Sequence, residues 1–174
     1  YMWPEAVEVA KAHKAHITVA VLGEEEKQLE RGKLLTKAMA VCCKQKYATG
    51  VYTSGVVFEP RFYEGLADML KEDELPIFNW VWFGLYRSEG GLNGYTYGMD
   101  VFGKEEMEVL NTDAEPEELR DFLASLASYV LACDVTLQDG ETIGFSADDK
   151  HSITRSPGIS LPEEQMTRKL GFAP

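Results

Sequence analysis

The stretch Ile77–Phe102 constrains the fold of this chain most, because it contains two apolar runs separated by a glycine-rich turn. At the two-residue period of a strand, both faces of the first run are apolar. One face carries Phe78, Trp80, Trp82 and Tyr86, and the other carries Ile77, Val81, Phe83 and Leu85. A strand that is apolar on both faces is usually covered on both. The stretch therefore predicts a β-hairpin at the centre of a sheet, with its aromatic rings in the core.

The flanking segments predict an alternation of helices and strands. Helices are expected at Tyr1–Lys14, Leu34–Lys46, Pro60–Leu75 and Pro116–Cys133, and further strands at His16–Leu22, Gly50–Phe58, Met107–Leu110 and Ile153–Leu161. Apolar residues at helical spacing support the helices, and Thr112 with Glu115 is typical of a capping box before the last one. Gly55 indicates a bulge within its strand.

This order, αβαβαββ(β)α, predicts an α+β fold in which helices pack against a mixed β-sheet with a central antiparallel hairpin. Strand–helix–strand units favour a parallel crossover, whereas the hairpin adds antiparallel strands. At 174 residues the chain is long enough for a single domain with a real core. We expect that core at residues 3–157 and an extended, irregular tail at residues 158–174.

The charge balance excludes some classes of partner. The chain has 17 Lys and Arg residues against 29 Asp and Glu residues, a formal net charge of −12. Binding to nucleic acid or to an anionic membrane surface requires a basic patch, and the basic residues here are scattered. The sequence also lacks a run of 18 apolar residues that would span a membrane. We therefore expect no nucleic-acid and no membrane partner.

The three cysteines, Cys42, Cys43 and Cys133, are odd in number and have no CxxC spacing. That pattern argues against a disulfide framework and against a zinc site, and it is typical of a reducing compartment. The first residues lack the charged-then-apolar layout of a signal peptide. We therefore expect a cytoplasmic protein without a cofactor or a metal.

Motifs of known chemistry are absent from the sequence. There is no GxGxxG leading from a strand into a helix, no P-loop and no GxSxG elbow. His13, His16 and His151 are interpreted as residues at element boundaries rather than as metal ligands. Cys42 and Cys43 lie toward the end of a helix, where a thiol is not activated, so one is expected in the core and the other at its margin. No catalytic residue is assigned.

The sequence favours the strand ends as the place for a ligand pocket, because aromatic walls with a few polar groups are typical of such sites. The residues of this kind are Tyr52, Ser54, Glu59, Trp82, Tyr97 and Asp100. Glu59 follows a strand, where functional groups often lie in α/β sheets, and Asp100 lies in an otherwise apolar predicted strand. The same residues fit an ordinary core with solvent-facing acids equally well, so both interpretations stay open.

Five segments follow, in order and spacing, the pattern of a known family: WPEAVEVAKAHKAHITVAVLG, GVYTSGVVFEPRFY, LPIFNWVWFGLYR, YTYGMDVFGKEEMEV and LQDGETIGFSAD. From Trp3 to Pro157 the chain thus resembles the bacterial family known as domain of unknown function 4261. The resemblance implies no established activity, cofactor or catalytic residue. Members of the family usually carry a further stretch before the Trp-Pro segment, so the resemblance also implies that an N-terminal strand and helix are absent from this sequence, which begins with Tyr1.

Two hypotheses of different classes follow for the function. The favoured one is a noncatalytic module that binds a protein partner, because aromatic residues are abundant and no nucleophile–base pair is recognisable. The alternative is a small-molecule enzyme, a hydrolase, with its pocket near Glu59 and Asp100. Self-association is a further expectation, because the lack of an N-terminal strand would expose a sheet edge and exposed edges pair.

Overall fold

The computed structural model describes residues 3–24, 27–144, 146 and 150–172. The chain divides into two compact units, Tyr1–Trp82 and Phe83–Pro174. Its elements are helices, a two-stranded antiparallel sheet and a six-stranded mixed sheet, which confirms the predicted α+β class. The expectation of a single domain stays a prediction.

The first unit is mainly helical. Its elements are α1 (Ala6–Ala12), α2 (Gln28–Cys43), β1 (Val51–Thr53), β2 (Val56–Phe58), α3 (Pro60–Ala67) and α4 (Ile77–Trp80), with a 3₁₀ turn at Asp68–Glu72. Pro60 lies in the first turn of α3, where a helix has no use for the N–H that proline lacks. The helix predicted from Pro60 is confirmed, and its last part is the 3₁₀ turn.

The segment Gly50–Phe58, predicted as one strand with a bulge, forms a β-hairpin. β1 and β2 pair antiparallel, with Val51 opposite Phe58. Between them, Ser54 and Gly55 have φ angles of 49° and 74°, in the left-handed region that glycine adopts without strain. The prediction of a single strand was wrong because Gly55 helps to reverse the chain rather than bulge it.

The prediction of a buried strand at His16–Leu22 was also wrong. Residues 13–24 form neither a helix nor a strand, and Ile17 and Leu22 are 80% and 91% exposed. Apolar, β-branched residues give a strand only where a neighbouring backbone supplies hydrogen bonds. None of the strands in the described part of the chain pairs with this segment.

A small cluster of buried side chains lies in the first unit. Its members are Cys43, Val51, Phe58 and Tyr63. The ring of Phe58 stacks on that of Phe62 and meets that of Tyr63 edge-on, at 6.3 and 5.8 Å between ring centres. The indole N–H of Trp80 donates to the hydroxyl of Thr36 at 2.7 Å, which joins α4 to α2.

The second unit is built on a six-stranded sheet. Its elements are β3 (Trp82–Ser88), β4 (Gly91–Tyr97), β5 (Met107–Thr112), α5 (Pro116–Ala132), β6 (Thr142–Ile143), β7 (His151–Pro157) and β8 (Met166–Leu170). The strand order is β3-β4-β5-β8-β7-β6. β5 and β8 pair in parallel, and the pairs β4–β5, β7–β8 and β6–β7 are antiparallel. Since α5 lies between β5 and β8 in the chain, a parallel strand–helix–strand connection occurs here, whereas the sequence predicted such connections among the strands up to the hairpin.

The predicted hairpin is confirmed, but it is shorter than expected and lies at the edge of the sheet. Ile77–Trp80 form α4, and Asp100–Phe102 form a 3₁₀ turn after β4. β3 is the first strand in the sheet order, so the prediction that it is a central strand was wrong. Apolar residues on both faces indicate burial but not the kind of element: Ile77 and Trp80 are 5% and 6% exposed within a helical turn.

The stretch expected to be an extended tail contains an inner strand of the sheet. β8 lies between β5 and β7, and its residues Thr167, Arg168 and Leu170 are buried. The prediction was wrong here because β8 is short and carries two adjacent cationic residues, Arg168 and Lys169, whose burial depends on partners elsewhere in the chain. Both form ion pairs with acids from a distant part of the chain.

The helix α5 packs on one face of the sheet. Gly94 of β4 lies beneath Leu119 and Leu123, and a Cβ at this position would come within 2.9 Å of both leucine side chains. The glycine therefore permits the close approach of helix and strand.

The N-terminus of α5 has a capping box formed by Glu115 and Glu118. The box predicted at Thr112 was therefore wrong by three residues. Pro116, in the first turn of the helix, makes Glu115 the N-terminal cap residue. The predicted helix itself is confirmed, since it ends at Ala132, one residue before the expected end.

Candidate functional site

Four of the six predicted site residues lie in the first unit. Tyr52 is in β1 and its side chain is 72% exposed. Ser54 lies in the following turn, and its hydroxyl donates to the carbonyl of Trp80 at 3.0 Å. Glu59 is the residue that precedes α3, and Trp82 is the first residue of β3.

The other two predicted residues lie in the second unit. Tyr97 ends β4 and is 51% exposed. Asp100 lies in the 3₁₀ turn, where its carboxylate accepts a hydrogen bond from the Val101 N–H at 2.9 Å. The prediction that Asp100 lies within an apolar strand was wrong because β4 ends at Tyr97. The six residues are thus divided between the two units, and the pocket at these residues stays a prediction.

Sequence reasoning missed two acids of β5 and the turn before it, which the structure buries. Glu106 is 1% exposed and Glu108 is fully buried. Two positions apart, they lie on one face of the strand, and Met107 and Val109 lie on the face that α5 covers. The alternation of acidic and apolar residues indicates a strand with one buried face and one face in solvent. Nothing in that pattern indicates that the acidic face is also buried.

Glu106 accepts hydrogen bonds only from neutral groups among the described residues. One oxygen, Oε1, accepts from the backbone N–H groups of Gly98, Met99 and Asp100 at 2.7, 2.9 and 3.4 Å. The other, Oε2, accepts from the hydroxyl of Thr96 at 2.7 Å. Burial raises the pKa of Glu106 above its ordinary value, and these hydrogen bonds offset part of that rise. The carboxyl group holds the turn between β4 and β5.

Glu108 has a cationic partner. Its Oε2 lies 2.6 Å from the ammonium of Lys169 and accepts from the hydroxyl of Thr167 at 2.7 Å. Its Oε1 accepts from three consecutive backbone N–H groups, those of Ile159, Ser160 and Leu161, at 3.1, 2.5 and 3.2 Å. One carboxylate therefore ties β5 to β8 and to the loop that precedes β8.

The pKa of Glu108 shifts in the opposite direction to that of Glu106. Burial acts to raise it, but the hydrogen bonds from Lys169 and Thr167, together with those from the loop, act on the ionised form and lower the pKa below its ordinary value. The charge on Glu108 is therefore retained inside the protein because the partners that stabilise it are also there.

A third acid, Glu105, bridges two arginines on neighbouring strands. Its Oε1 lies 2.7 Å from Nη2 of Arg155, and its Oε2 lies 2.7 Å from Nε of Arg168. The hydrogen bond from Arg155 and the charges of both arginines lower the pKa of Glu105. This bridge is more exposed to solvent than the carboxyl groups of Glu106 and Glu108, since the Arg155 side chain is 41% exposed.

Cys42 and Cys43 lie where predicted, and His13 and His151 lie at element boundaries, whereas His16 borders neither a helix nor a strand. Cys43 is buried and Cys42 is at the margin, as expected, and burial raises the pKa of Cys43 to about 11, so little thiolate exists at neutral pH. His151 begins β7, and its Nδ1 lies 2.9 Å from the carbonyl oxygen of Gly171. Among the residues that the structure describes, no three or more His, Cys, Asp or Glu side chains form a group able to hold a metal ion.

The first unit exposes apolar side chains that its small core does not use. In residues 13–24, here called the extended segment, Ile17 and Leu22 are almost fully exposed, and Val19 is half-buried. The following helix α2 adds Leu34 and Val41, which are 56% and 59% exposed. Scattered exposed apolar residues are ordinary, but a run of them in an unpaired extended segment is typical of an interaction surface.

The comparisons with known proteins bear on the second unit. The family model described as domain of unknown function (DUF4261) matches residues 95–170, from β4 to the end of β8. This match confirms the resemblance predicted from the sequence over the last two of its five segments. No curated protein and no solved structure matches the chain. None of the helices in the described ranges has the length and apolar composition that a bilayer crossing requires.

Proposed function

We propose that this chain is a noncatalytic protein-binding module and that the extended segment is its recognition element. The observation that carries the proposal is the exposure of an apolar, β-branched sequence, His16–Leu22, that lies outside any helix or sheet of the described residues. Its backbone N–H and C=O groups offer a partner the hydrogen bonds of a strand. The side chains of Ile17 and Leu22 offer apolar contacts. Addition of such a segment to the edge of a partner's sheet is a common mode of protein recognition.

The distribution of charge supports a protein partner over a nucleic acid. Residues 83–174 carry 7 Lys and Arg against 17 Asp and Glu, so this unit has a formal charge of −10 of the total of −12. Such a field repels phosphate backbones. The three cysteines are free thiols, which supports a reducing, cytoplasmic setting for the complex.

The buried acids of the second unit also support a noncatalytic function. Glu106 and Glu108 are contacted by four and five donor groups of the protein itself, so their oxygens stabilise the fold. A general acid or base must instead reach a proton of the substrate. The alternative of a hydrolase at Glu59 and Asp100 stays a prediction.

The test is capture of partners from an extract of the source organism with the tagged 174-residue chain, its Ile17→Asp variant and a matched Val101→Asp variant. Val101 is an exposed apolar residue, 64% exposed, on the second unit, so its variant controls for added charge and lost apolar surface. We expect proteins that the wild type and Val101→Asp retain and Ile17→Asp loses. Identical retention by all three chains would contradict the proposal.

Light scattering of the same chains distinguishes a different protein from a second copy. A mass of twice 19.5 kDa for the wild type, reduced to 19.5 kDa in Ile17→Asp, would identify the partner as another copy of this chain. A monomeric wild type together with specific capture supports a different protein as the partner.

A further inference from the structure

The second unit contains a cavity of about 230 Å³ beside the C-terminal end of α5. Its apolar wall includes Met107 of β5, Val130 of α5 and Leu137 of the following loop. Its charged lining residues are Lys104, Glu105 and Arg168. One water needs only about 10–15 Å³ of such space, so the cavity has room for a small organic molecule. It lies just below the range of about 300–1,000 Å³ that is typical of ligand pockets, which limits the ligand to a few non-hydrogen atoms.

Arg168 brings hydrogen-bond donors to this cavity. The residue is 9% exposed, and its Nε pairs with Glu105 at 2.7 Å. Glu105 is the one partner that the structure gives for this guanidinium within the described residues, and a guanidinium has five N–H donors. Donors in a planar fork, held in a buried place, match the two oxygens of a carboxylate.

Lys104 lies at the same cavity and has an unusual partner. Its Nζ is 2.6 Å from Oδ1 of Asp134, and the Lys104 side chain is only 13% exposed, whereas that of Asp134 is 92% exposed. A mostly buried cation is thus neutralised by an acid that stands almost entirely in solvent. Because Asp134 is already hydrated, its release from Lys104 costs little, and a carboxylate from outside can take its place.

Two carbonyl groups at the end of α5 are engaged by the backbone that follows the helix. The backbone N–H of Cys133 donates to the carbonyl of Tyr129 at 3.0 Å, and that of Val135 donates to the carbonyl of Val130 at 3.2 Å. The charged residues that line the cavity are Lys104, Glu105 and Arg168.

We infer that this cavity binds a small carboxylate with a short apolar chain. The ligand carboxylate replaces that of Asp134 on Lys104 and accepts hydrogen bonds from Arg168, and its chain packs against Met107, Val130 and Leu137. This site is separate from the extended segment, so its test does not depend on the proposed protein partner.

The test is an NMR titration of the full chain with sodium butyrate, with butyramide as the uncharged analogue of the same shape. We expect saturable shifts of the backbone signals of residues 103–107 and 130–137, with a Kd on the order of 1 mM for so small a ligand. Butyramide binds at least about fivefold more weakly, because it lacks the charge that the lysine and the arginine recognise. Equal binding of butyrate and butyramide, or no saturable shift with butyrate, overturns the inference.

Two variants and a control sharpen the test. Asp134→Asn removes the internal competitor and keeps a residue type that tolerates the φ of 50° at this position, so butyrate should bind about two- to fivefold more tightly. Lys104→Met should weaken binding at least about fivefold. Asp121→Asn removes an exposed acid that pairs with Arg120 on α5 and changes the net charge equally, so it should leave the affinity unchanged. The same affinity in Asp134→Asn and Asp121→Asn overturns the inference.

Discussion

Two buried carboxyl groups lie two residues apart, at Glu106 and Glu108, and the protein surrounds them with different kinds of partner. The donors to Glu106 come from residues 96–100, the end of β4 and the turn that leads to β5, and all are neutral. The contacts of Glu108 come from residues 159–169 and include the ammonium of Lys169. The pKa of Glu106 is accordingly raised and that of Glu108 is lowered.

The difference shows that burial alone does not decide the state of an acid. Glu106 stabilises a local connection, for which neutral hydrogen bonds suffice, and its pKa stays above the ordinary value because burial disfavours the charge. Glu108 joins parts of the chain that are far apart in sequence, namely β5, β8 and the loop before β8. The ammonium of Lys169 balances the negative charge of Glu108, so Glu108 contributes stability that depends on its ionisation.

The largest effect is expected for Glu108→Gln. The substitution leaves the ammonium of Lys169, whose side chain is 14% exposed, without its charged partner, and we expect a loss of about 3 kcal/mol in the free energy of unfolding. Urea denaturation followed by circular dichroism measures it. The matched control is Glu117→Gln, an acid on α5 whose side chain is 81% exposed, and it should change stability by less than about 0.5 kcal/mol. A similar loss of stability in both variants would show that the buried ion pair of Glu108 contributes no more than an exposed acid.

Glu106→Gln should cost less, about 1 kcal/mol, as measured in the same way. The amide oxygen of glutamine still accepts the backbone hydrogen bonds from the turn, and only the bond from the Thr96 hydroxyl must be rearranged. The ranking of the two variants is the decisive result: a Glu106→Gln variant less stable than Glu108→Gln would show that the lysine contributes little.

The losses of stability in Glu106→Gln and in Glu108→Gln should change with pH in opposite directions. The folded pKa of Glu106 lies above its ordinary value of 4.5, so the unfolded chain releases its proton first and wild-type stability falls as pH rises from 4.5 through the folded pKa. The cost of Glu106→Gln should therefore shrink with rising pH. The folded pKa of Glu108 lies below 4.5, so its contribution is present above 4.5 and is lost as pH falls through the folded pKa. The cost of Glu108→Gln should shrink with falling pH.

Urea denaturation of the three chains from pH 3 to pH 8 checks these signs, and the expected change is a fraction of each substitution's cost at neutral pH. Parallel curves for the two variants would contradict the assignment of opposite shifts.

The smallest effect is expected for Arg155→Gln, which tests the more exposed acid Glu105. Arg155 is 41% exposed, and Glu105 keeps Arg168 as a partner, so the loss of stability should be smaller than that in Glu106→Gln. Added salt should reduce this loss further, whereas it should affect the loss in Glu108→Gln much less. Thermal unfolding at low and high ionic strength measures both. Equal sensitivity to salt would indicate that Lys169 is open to solvent.

Prediction from the sequence succeeded where an element is decided locally. The apolar stripe of α5 and the proline that opens α3 were sufficient for both helices. It failed for His16–Leu22 and for Ile77–Trp80. Both segments are apolar, but among the described residues neither has a neighbouring strand whose backbone would supply hydrogen bonds. The candidate site was predicted at Glu59 and Asp100, whereas the acids that the structure buries are Glu106 and Glu108.

The sequence by itself determined the α+β class, the hairpin of β3 and β4 and the long helix α5, because periodicity and turn residues act over a few positions. Only the tertiary structure decided that β8 pairs with β5 and that an acid on β5 is buried with its charge intact. The physical reason is that burying a carboxylate is favourable only where donors and a cation converge on it. The groups that converge on Glu108 belong to residues 159–169, which no local pattern connects to β5.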